Sequence, residues 1–210
     1  MAVKKVNETS YLLTQARYVE DVMHKYEMEG QKAEYTPGCG EVLRSECWMS
    51  DEEREWLDKY QTFEPNCVGQ IEEVIKPGAP PRPVSDVKDN PFGRRFREMC
   101  GTLRWMEQCT RPDISAALSE LCKVQINPGE RHVAQMEHLM RYVNATKDSG
   151  ILYGGPASKY PEGPLVVYCD SDWSGDGETF HTRGGYVCTT FGSPISWSSF
   201  KIKSVAASSC

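Results

Sequence analysis

The sequence predicts a mixed α and β fold (α/β, of the α+β kind) in which a helical subdomain is followed by a three-stranded antiparallel sheet. The helices are indicated by apolar residues that recur with helical spacing between residues 95 and 147. The sheet is indicated by three short segments after residue 164 that are rich in β-branched and aromatic residues. With 39% hydrophobic and 26% charged residues, the 210-residue chain has a globular composition suited to one or two domains.

The first predicted strand, Leu165–Tyr168, is wholly apolar and is therefore expected to be buried. Asp170 and Asp172 follow it and point the same way if the strand stays extended, because side chains alternate across a strand. Two carboxylates on one face repel each other unless a cation or water neutralises them. The pair is thus a candidate site for a hard divalent cation, and a solvated acidic loop is the alternative.

Two more strands are expected at 184–191 and 195–203, joined by the turn residues Gly192, Ser193 and Pro194. In the third strand, Ile195 and Trp197 alternate with serines. An inner face of this kind has to be covered by helices in a layered fold. The residues expected on that inner face are Val167, Tyr186 or Val187, Ile195 and Trp197.

Amphipathic helices are predicted at residues 15–28, at 95–110 with an interruption at Gly101, after Thr110, and from Glu130 to about Lys147. Thr110 is the expected N-cap of the third helix, because a proline and an aspartate follow it within the first turn. Asn127 and Glu130 have the N-x-x-E spacing of a capping box.

Residues 38–91 have the weakest pattern, with at most a short helix near Trp56 and a proline-rich extended stretch at 76–83. The predicted organisation is therefore 1–37, a poorly structured linker at 38–91, a helical subdomain at 92–150, and the sheet at 151–210.

The net charge of −6 is distributed unevenly along the chain. Residues 91–150 carry 9 Lys and Arg against 7 Asp and Glu, whereas residues 1–90 carry 11 against 18. A phosphate-binding face, if present, is expected in the middle segment, although a mixed-charge solvated helix surface gives the same count. No apolar run approaches the roughly 20 residues of a membrane span, and the first residues lack a signal peptide's apolar region.

The nine cysteines are scattered without a C-x-x-C pair, and His132 and His138 have no partnered cysteine motif, so zinc is not expected. An odd number of cysteines without a secretion signal indicates free thiols in a reducing compartment. The expected location is intracellular, either cytoplasmic or nuclear. The sequence indicates no oligomeric state.

Several motifs carry a family resemblance. Y-C-D-S-D-W-S-G-D at 168–176, R-G-G-Y-V at 183–187 and S-P-I-S-W-S-S-F-K at 193–201 resemble the start of the ribonuclease H domain of copia-type LTR retrotransposon Pol polyproteins. Residues 11–37 resemble the end of the family's reverse transcriptase region, and residues 101–121 and 127–150 resemble its thumb and connection region. The resemblance thus implies a helical thumb/connection-like subdomain followed by a truncated ribonuclease H-like sheet.

The resemblance implies that Asp170 is the first catalytic aspartate of a ribonuclease H and a direct ligand of Mg²⁺. The polymerase motif Y-x-D-D does not occur in the 210 residues. The family's next acid falls one to two positions beyond Cys210, and one ligand of four cannot assemble a two-metal site. We therefore expect Asp170 to be vestigial, Mg²⁺ not to be bound productively, and the chain to be inactive alone.

The same resemblance implies that Arg111, His132 and Arg141 contact a primer–template or an RNA–DNA hybrid. For Arg111 a capping contact or an inter-helix salt bridge is an equal alternative, and a histidine near a helix N-terminus is more often structural. Two functions remain open: an inactive fragment of a reverse transcriptase/ribonuclease H polyprotein, or a non-catalytic module derived from such an element that binds nucleic acid or protein.

In the family, the helix that covers the sheet begins after Ser209. We therefore expect the helices at 113–147 to cover the sheet instead, or large apolar side chains to face water. Residues 151–210 alone are expected to be unfolded or aggregated, because a three-stranded sheet with an uncovered face is marginal.

Overall fold

The computed structural model describes residues 1–38, 47–65, 71–154, 164–172 and 182–202, and these residues adopt the predicted α+β fold. The described helices are α1 (Ala16–Lys25), α2 (Asp51–Tyr60), α3 (Gly93–Cys109), α4 (Ser115–Lys123) and α5 (Glu130–Ala145). The described strands are β1 (Ala2–Lys5), β2 (Ser10–Thr14), β3 (Gln61–Pro65), β4 (Ile71–Ile75), β5 (Gly150–Gly154), β6 (Leu165–Asp172), β7 (Arg183–Thr190) and β8 (Ser193–Lys201). None of the helices in these ranges is long and apolar enough to cross a membrane.

Helices α1, α3, α4 and α5 pack around one hydrophobic core, here called the helical block. Its most deeply buried residues include Val19, Phe96, Leu103, Met106, Leu118, Met136, Leu139 and Val143. Each such side chain contributes roughly 1.5–3 kcal/mol when it leaves water. The predicted interruption at Gly101 is wrong, since α3 runs continuously through it. Gly101 lies on the exposed side, where the cost of glycine in a helix, about 1 kcal/mol, is small beside the burial of its neighbours.

Two predicted helix caps are wrong because both side chains make long-range contacts. Thr110 ends α3, and its Oγ1 lies 2.6 Å from the side-chain amide of Gln15 in the first segment. Helix α5 begins after Gly129, so Asn127 does not cap it. Instead, Nδ2 of Asn127 donates to the carbonyl of Trp48 at 3.1 Å. Oδ1 of Asn127 accepts a hydrogen bond of 2.6 Å from Nδ2 of Asn90.

The predicted three-stranded antiparallel sheet forms with the order β6-β7-β8. Tyr168 pairs with Val187, which pairs with Trp197, so these three residues lie on one face. That face lies towards the helical block, because Nε1 of Trp197 donates to the carbonyl of Glu107 in α3 at 3.0 Å. Val167 pairs with Cys188 and lies on the opposite face. The prediction that Val167 shares a face with Trp197 is therefore wrong, and the next residue of the strand, Tyr168, lies there instead.

Strand β6 is exposed, contrary to the prediction that it is buried. The exposed fractions of Leu165 and Val167 are 62% and 57%. Among the described strands β6 lies at the edge of its sheet, and the helical block covers mainly the β8 side through α4. Of the two alternatives expected for the sheet, the structure combines both in part: α4 packs on β8, and large apolar side chains of β6 are open to water.

The sequence analysis did not predict a second sheet, in which β1, β2 and β5 pair antiparallel. This sheet joins the first 14 residues to the strand that follows α5. Glycines make the close pairing possible: a Cβ at Gly150 would lie 1.9 Å from the carbonyl oxygen of Leu13, and one at Gly154 would lie 1.9 Å from that of Thr9. The two sheets meet where the hydroxyl of Ser193 donates to the carbonyl of Leu152 at 2.7 Å.

In the segment predicted to be a poorly structured linker, the structure describes helix α2 and the antiparallel hairpin β3–β4. The proline-rich stretch that follows is bound along α2. Nε1 of Trp56 donates to the carbonyl of Pro80 at 3.0 Å, and Arg82 forms a salt bridge of 2.8 Å with Glu53. The backbone N–H of Ser85 also donates to Glu53 at 3.1 Å. Side-chain contacts thus order a stretch that cannot form helix or sheet.

Glu53 is the acceptor on which this arrangement depends, because one buried carboxylate binds both Arg82 and Ser85. Burial by itself raises the pKa of this carboxyl, but the hydrogen bonds from Ser85 and Arg82 outweigh it and the pKa is lowered. A lowered pKa means that the stabilisation is complete above the unfolded pKa of about 4.3 and is lost as the pH falls through the folded pKa.

Glu53→Gln is expected to lower the free energy of unfolding by about 1–3 kcal/mol, because it weakens charge-assisted hydrogen bonds to a buried group. Amide exchange of peptides covering residues 82–90 should accelerate above pH 5, and the acid sensitivity of this region should diminish. Glu52→Gln is the matched control, since Glu52 lies in the same first turn but is exposed. Equal exchange in the two variants would contradict this role of Glu53.

Candidate functional site

A cleft of about 530 Å³ lies between the helical block and the sheet β6–β8. Its walls come from the 3₁₀ turn before α4, from the start of α4 and from all three strands. The polar and aromatic residues that line it include Asp113, Ser115, Tyr168, Asp170, Arg183 and Trp197. The candidate catalytic aspartate therefore faces a space that the helical block helps to enclose.

Arg183 connects the sheet to α4. It lies on the same face of the sheet as Trp197, by strand alternation, and forms a salt bridge with Glu120. Its Nη2 donates to the hydroxyl of Ser119 at 2.9 Å, and that hydroxyl donates to the carbonyl of Ser199 at 3.2 Å. Burial lowers the pKa of the Arg183 guanidinium, as expected for a cation withdrawn from water. The orientation of the sheet on the helices thus depends on a few polar contacts.

Asp170 is an exposed side chain of β6, opposite Gly185 of β7. Its Oδ1 accepts a hydrogen bond from the backbone N–H of Ser171 at 2.8 Å. Asp172 continues the strand opposite Arg183. The side chain of Asp172 lies outside the described residues, and so do Trp173 and Asp176, so the predicted same-face carboxylate pair stays a prediction.

A two-metal centre needs several converging carboxylates. Among the described residues, no group of three or more His, Cys, Asp or Glu side chains could hold a metal ion. Asp113 lines the same cleft as Asp170, but Arg111 and Tyr142 occupy its oxygens. The described side chains therefore supply one carboxylate at the cleft that no other side chain engages, Asp170, and they do not fit a two-metal centre.

Arg111 is only 2% exposed, and its guanidinium is fully engaged within the protein. Nε and Nη2 donate to the two oxygens of Asp113 at 3.0 and 2.8 Å, while Nη1 and Nη2 donate to the backbone carbonyl and hydroxyl of Thr146 at 3.2 and 2.6 Å. The guanidinium also stacks on the ring of Tyr142, 5.4 Å from its centroid. This geometry favours the capping alternative over a contact with phosphate, because Arg111 binds Thr146, the residue that ends α5, whereas its salt bridge with Asp113 is local.

The carboxylate of Asp113 lies beside the positive charge of Arg111. It also accepts a hydrogen bond of 2.8 Å from the hydroxyl of Tyr142. Burial alone raises the pKa of the Asp113 carboxyl, but hydrogen bonding and the charge of Arg111 outweigh it, so the pKa is lowered. The carboxylate consequently stays ionised at neutral pH and holds Arg111 in place. It serves the fold and is not available as a metal ligand or proton donor.

The other two predicted nucleic-acid contacts are also engaged inside the protein. His132 is 1% exposed, and its Nδ1 accepts the backbone N–H of Gly129 at 2.9 Å, which favours its structural alternative. Arg141 retains partial exposure and lies 3.7 Å from the carboxylate of Glu34. The nucleic-acid-binding role stays a prediction, and Arg141 is the residue of the three whose exposure best suits it.

The sequence analysis missed two exposed arginines at the start of α3. Arg94 has 91% of its side chain exposed and lies 3.4 Å from the carboxylate of Glu98, one turn later. Arg97 is exposed three residues after Arg94, on the same side of the helix. The first turn of α3 contains no acidic residue, so these cations add to the positive end of the helix dipole. Such an arrangement costs stability in the free protein and attracts anions. The run R-R-F-R, residues 94–97, is the signal that could have indicated it.

These features define a mixed α and β segment in which a helical block partly encloses an aspartate-bearing antiparallel sheet. Its homologues are copia-type, retrovirus-related Pol polyproteins from transposons, at 26–35% identity. It is 35% identical over 116 residues to the Pol polyprotein from transposon RE1 of Arabidopsis thaliana, and 26% identical over 196 residues to that from transposon TNT 1-94 of Nicotiana tabacum. These matches cover 54% and 93% of the chain.

The chain spans only a small part of those relatives, 7% and 12% of their lengths respectively. A shorter relative is the secreted RxLR effector protein 161 of Plasmopara viticola, which is 31% identical over 109 residues. That match covers 52% of the chain and 74% of the effector. No family model and no solved structure matches the chain.

Arg183→Ala is expected to accelerate amide exchange throughout β7 and β8 and to lower the free energy of unfolding by about 1–3 kcal/mol. The reason is that Glu120 would lose the partner that binds it to the sheet, while Ser119 would keep only its hydrogen bond to the carbonyl of Ser199. Lys123→Ala is the matched control, because Lys123 also pairs with Glu120, at 2.8 Å, but lies on α4 itself. Its effect should be below about 0.5 kcal/mol. A Lys123 effect as large as that of Arg183 would refute the inter-layer role.

Proposed function

We propose that the chain is the segment of a reverse transcriptase/ribonuclease H polyprotein that joins the end of the polymerase region to the front of the ribonuclease H domain. In this proposal the sheet β6–β8 is the beginning of that domain, and the helical block corresponds to the thumb and connection region. We further propose that the 210 residues alone do not cleave RNA. The proposed location is intracellular, in the cytoplasm or the nucleus.

The observation that carries the proposal is the packing of the aspartate-bearing sheet on the helical block. Trp197 and Arg183 both bind the block, so Asp170 has a defined position relative to the helices. A fixed spacing of this kind is what a polyprotein needs if one nucleic-acid duplex is to be gripped by helices and cleaved at an adjacent domain. The matched relatives, which are named as Pol polyproteins, support the same reading.

The proposed ligand is an RNA–DNA hybrid or a primer–template. Arg94 and Arg97 are the described cations best suited to phosphate contacts, because both are exposed and lie beside the N-terminus of α3. Arg141 is a further contact of the same proposal. Arg111 and His132 would act only indirectly, by fixing the helices that present these side chains.

The proposal of inactivity rests on the cleft. Asp170 is the carboxylate that the described residues offer there without a side-chain partner, and phosphoryl displacement by two metal ions requires more than one. Mg²⁺ bound by Asp170 alone would be held weakly, because Mg²⁺ keeps most of its water when few protein oxygens are present.

A second candidate is a non-catalytic module that binds nucleic acid or protein. The observation in its favour is the effector relative, of which the matched 109-residue stretch makes up 74%, so related residues occur as most of a short protein. Nuclease activity does not distinguish the two candidates. Binding does, because a module that binds only protein would not require Arg94 and Arg97 for nucleic-acid affinity.

Purified chain incubated with Mg²⁺ and an end-labelled RNA–DNA hybrid is expected to give no cleavage above background, because Asp170 lacks partner carboxylates in the described cleft. Asp170→Asn, prepared in parallel, identifies any contaminating nuclease. Cleavage that is lost in this variant, with the fold retained by circular dichroism, would overturn the proposal of inactivity.

Arg94→Ala combined with Arg97→Ala is expected to weaken binding to a short hybrid duplex. Plotted as log affinity against log salt concentration, the slope should become shallower by about 1–2, since up to two phosphate contacts are lost. Arg54→Ala is the control, because Arg54 is an exposed arginine on α2. An unchanged slope in the double variant, or an equal change in the control, would remove the first turn of α3 from the contact surface.

A further inference from the structure

The sheet β6–β8 has a hollow in the face that lies towards the helical block. On this face, one row of residues across the three strands is aromatic and apolar: Tyr168, Val187 and Trp197. Side chains two residues apart on a strand share a face, so the next row on this face has Gly185 between Asp170 and Ser199. Gly185 has no side chain and lines the cleft of about 530 Å³. The cleft is therefore deepest towards the sheet at Gly185.

The walls of this hollow suit a flat ring. Nε1 of Trp197 donates to the carbonyl of Glu107 at 3.0 Å, which holds the indole in one orientation beside the hollow. On the opposite side of the cleft, the helical block contributes the apolar side chains of Pro112 and Ala116. Aromatic side chains of fixed orientation stack readily on the rings of ligands, and every nucleobase has a face that can stack.

Two polar side chains of the cleft have capacity for further hydrogen bonds. A carboxylate accepts several hydrogen bonds, and the described contact of Asp170 is the one from the backbone N–H of Ser171. Ser115 lines the cleft at the start of α4 and is 6% exposed, and no described group forms a hydrogen bond with its Oγ. A buried hydroxyl without a partner costs free energy, so a ligand that reaches it gains affinity.

The charges of the cleft favour a neutral ring over a phosphate. Three charged residues belong to its described lining, and two of them are neutralised within the protein: Arg183 by Glu120 and Asp113 by Arg111. The third, Asp170, has no described side-chain partner and repels an anion. A carboxylate only accepts hydrogen bonds, so the group of the ligand that faces Asp170 has to be a donor.

We propose that the cleft binds one unpaired nucleobase that carries an exocyclic amino group. The ring lies over Gly185 beside the indole of Trp197, and the amino group donates to Asp170, as the amino group of cytosine does to acidic side chains in nucleic-acid recognition. The hydroxyl of Ser115 binds a second polar group of the same nucleoside. The site reads a base and leaves the phosphates outside.

This inference rests on the proposed function for its choice of a nucleic acid as the ligand. It adds a second contact of a different kind. Arg94 and Arg97 are proposed to bind the backbone of a duplex, whereas the cleft takes a base that is not paired, such as one at a single-stranded end. Removing a base from a duplex costs stacking and pairing energy, so a single-stranded end supplies it most easily.

The test uses free nucleosides with the full chain, so that phosphate contacts play no part. Cytidine and uridine are the probes, because cytosine has an amino group where uracil has a carbonyl. In a proton–nitrogen correlation spectrum, cytidine should shift the indole N–H resonance of Trp197 in a saturable way. Trp56, on α2 outside the described lining, is the internal control that should not shift. Trp197→Phe and Trp56→Phe assign the two resonances. Cytidine should bind at least about fivefold more tightly than uridine.

Two variants separate base binding from a structural effect. A Cβ at Gly185 would lie 3.6 Å from the carbonyl oxygen of Ser198, an ordinary contact, so Gly185→Val should keep the fold. By filling the hollow it should weaken cytidine binding about tenfold or more, since stacking is lost. Cys188→Val is the matched control, because Cys188 lies on the same strand but on the opposite face. Asp170→Asn should abolish the preference for cytidine over uridine, because an amide donates as well as accepts.

The absence of a saturable shift at Trp197, unchanged cytidine binding in Gly185→Val, or a cytidine preference that survives in Asp170→Asn would overturn the proposal. Tighter binding of N-acetyl-arginine amide than of cytidine would assign the cleft to a basic peptide and would overturn it equally. The proposed function fails by a different result, namely hybrid-duplex binding that does not depend on Arg94 and Arg97. Gly185→Val should leave that duplex binding unchanged, so the two failures are distinguishable.

Discussion

The buried guanidinium of Arg111 is the interaction on which the helical block depends. A single cation joins the end of α3, the turn before α4 and the C-terminus of α5, because it binds Asp113 and both the carbonyl and the hydroxyl of Thr146. Its position at the end of α5 is favourable in itself, since a positive charge there satisfies carbonyl groups that have no partner within the helix. Asp113 is partly exposed whereas Arg111 is buried, so removing Asp113 would leave a buried cation with only the oxygens of Thr146 as hydrogen-bond partners, which is destabilising.

The geometry of the cleft follows from this constraint. Arg111 determines where the chain turns from α3 into α4, and α4 carries the residues that receive Arg183. Trp197 binds the end of α3, directly before the same turn. The position of Asp170 relative to the helices is therefore set by a chain of contacts that begins at a buried arginine and ends at an edge strand. These contacts are polar and few in number. Single substitutions should therefore disturb the position of the sheet on the helical block more than they disturb the apolar core.

Periodic patterns were sufficient to predict the helices and the antiparallel sheet, because apolar spacing directly reflects which side of an element is buried. They were not sufficient for the caps at Thr110 and Asn127, whose partners Gln15, Asn90 and Trp48 are distant in sequence. The exposure of β6 was missed for a related reason. An apolar run indicates a buried strand only if something covers it, and that depends on the layers around it. The contacts of Glu53 with Arg82 and Ser85 likewise escape any local pattern.

The site was harder to predict than the fold, because a charged residue can either bind a ligand or stabilise the fold and its sequence pattern does not distinguish the two roles. In T-R-P-D, which lies within the family-like stretch 101–121, the hydroxyl of Thr110, the guanidinium of Arg111 and the carboxylate of Asp113 are all engaged within the protein. The excess of basic residues in the middle segment consequently overstates the charge available to a ligand. A matched motif therefore carries information about function only where its side chains remain free of other partners. Asp170 is exposed and is bound only by the neighbouring backbone N–H among the described contacts, so it is a residue to test for chemistry, whereas Arg111 is one to test for stability.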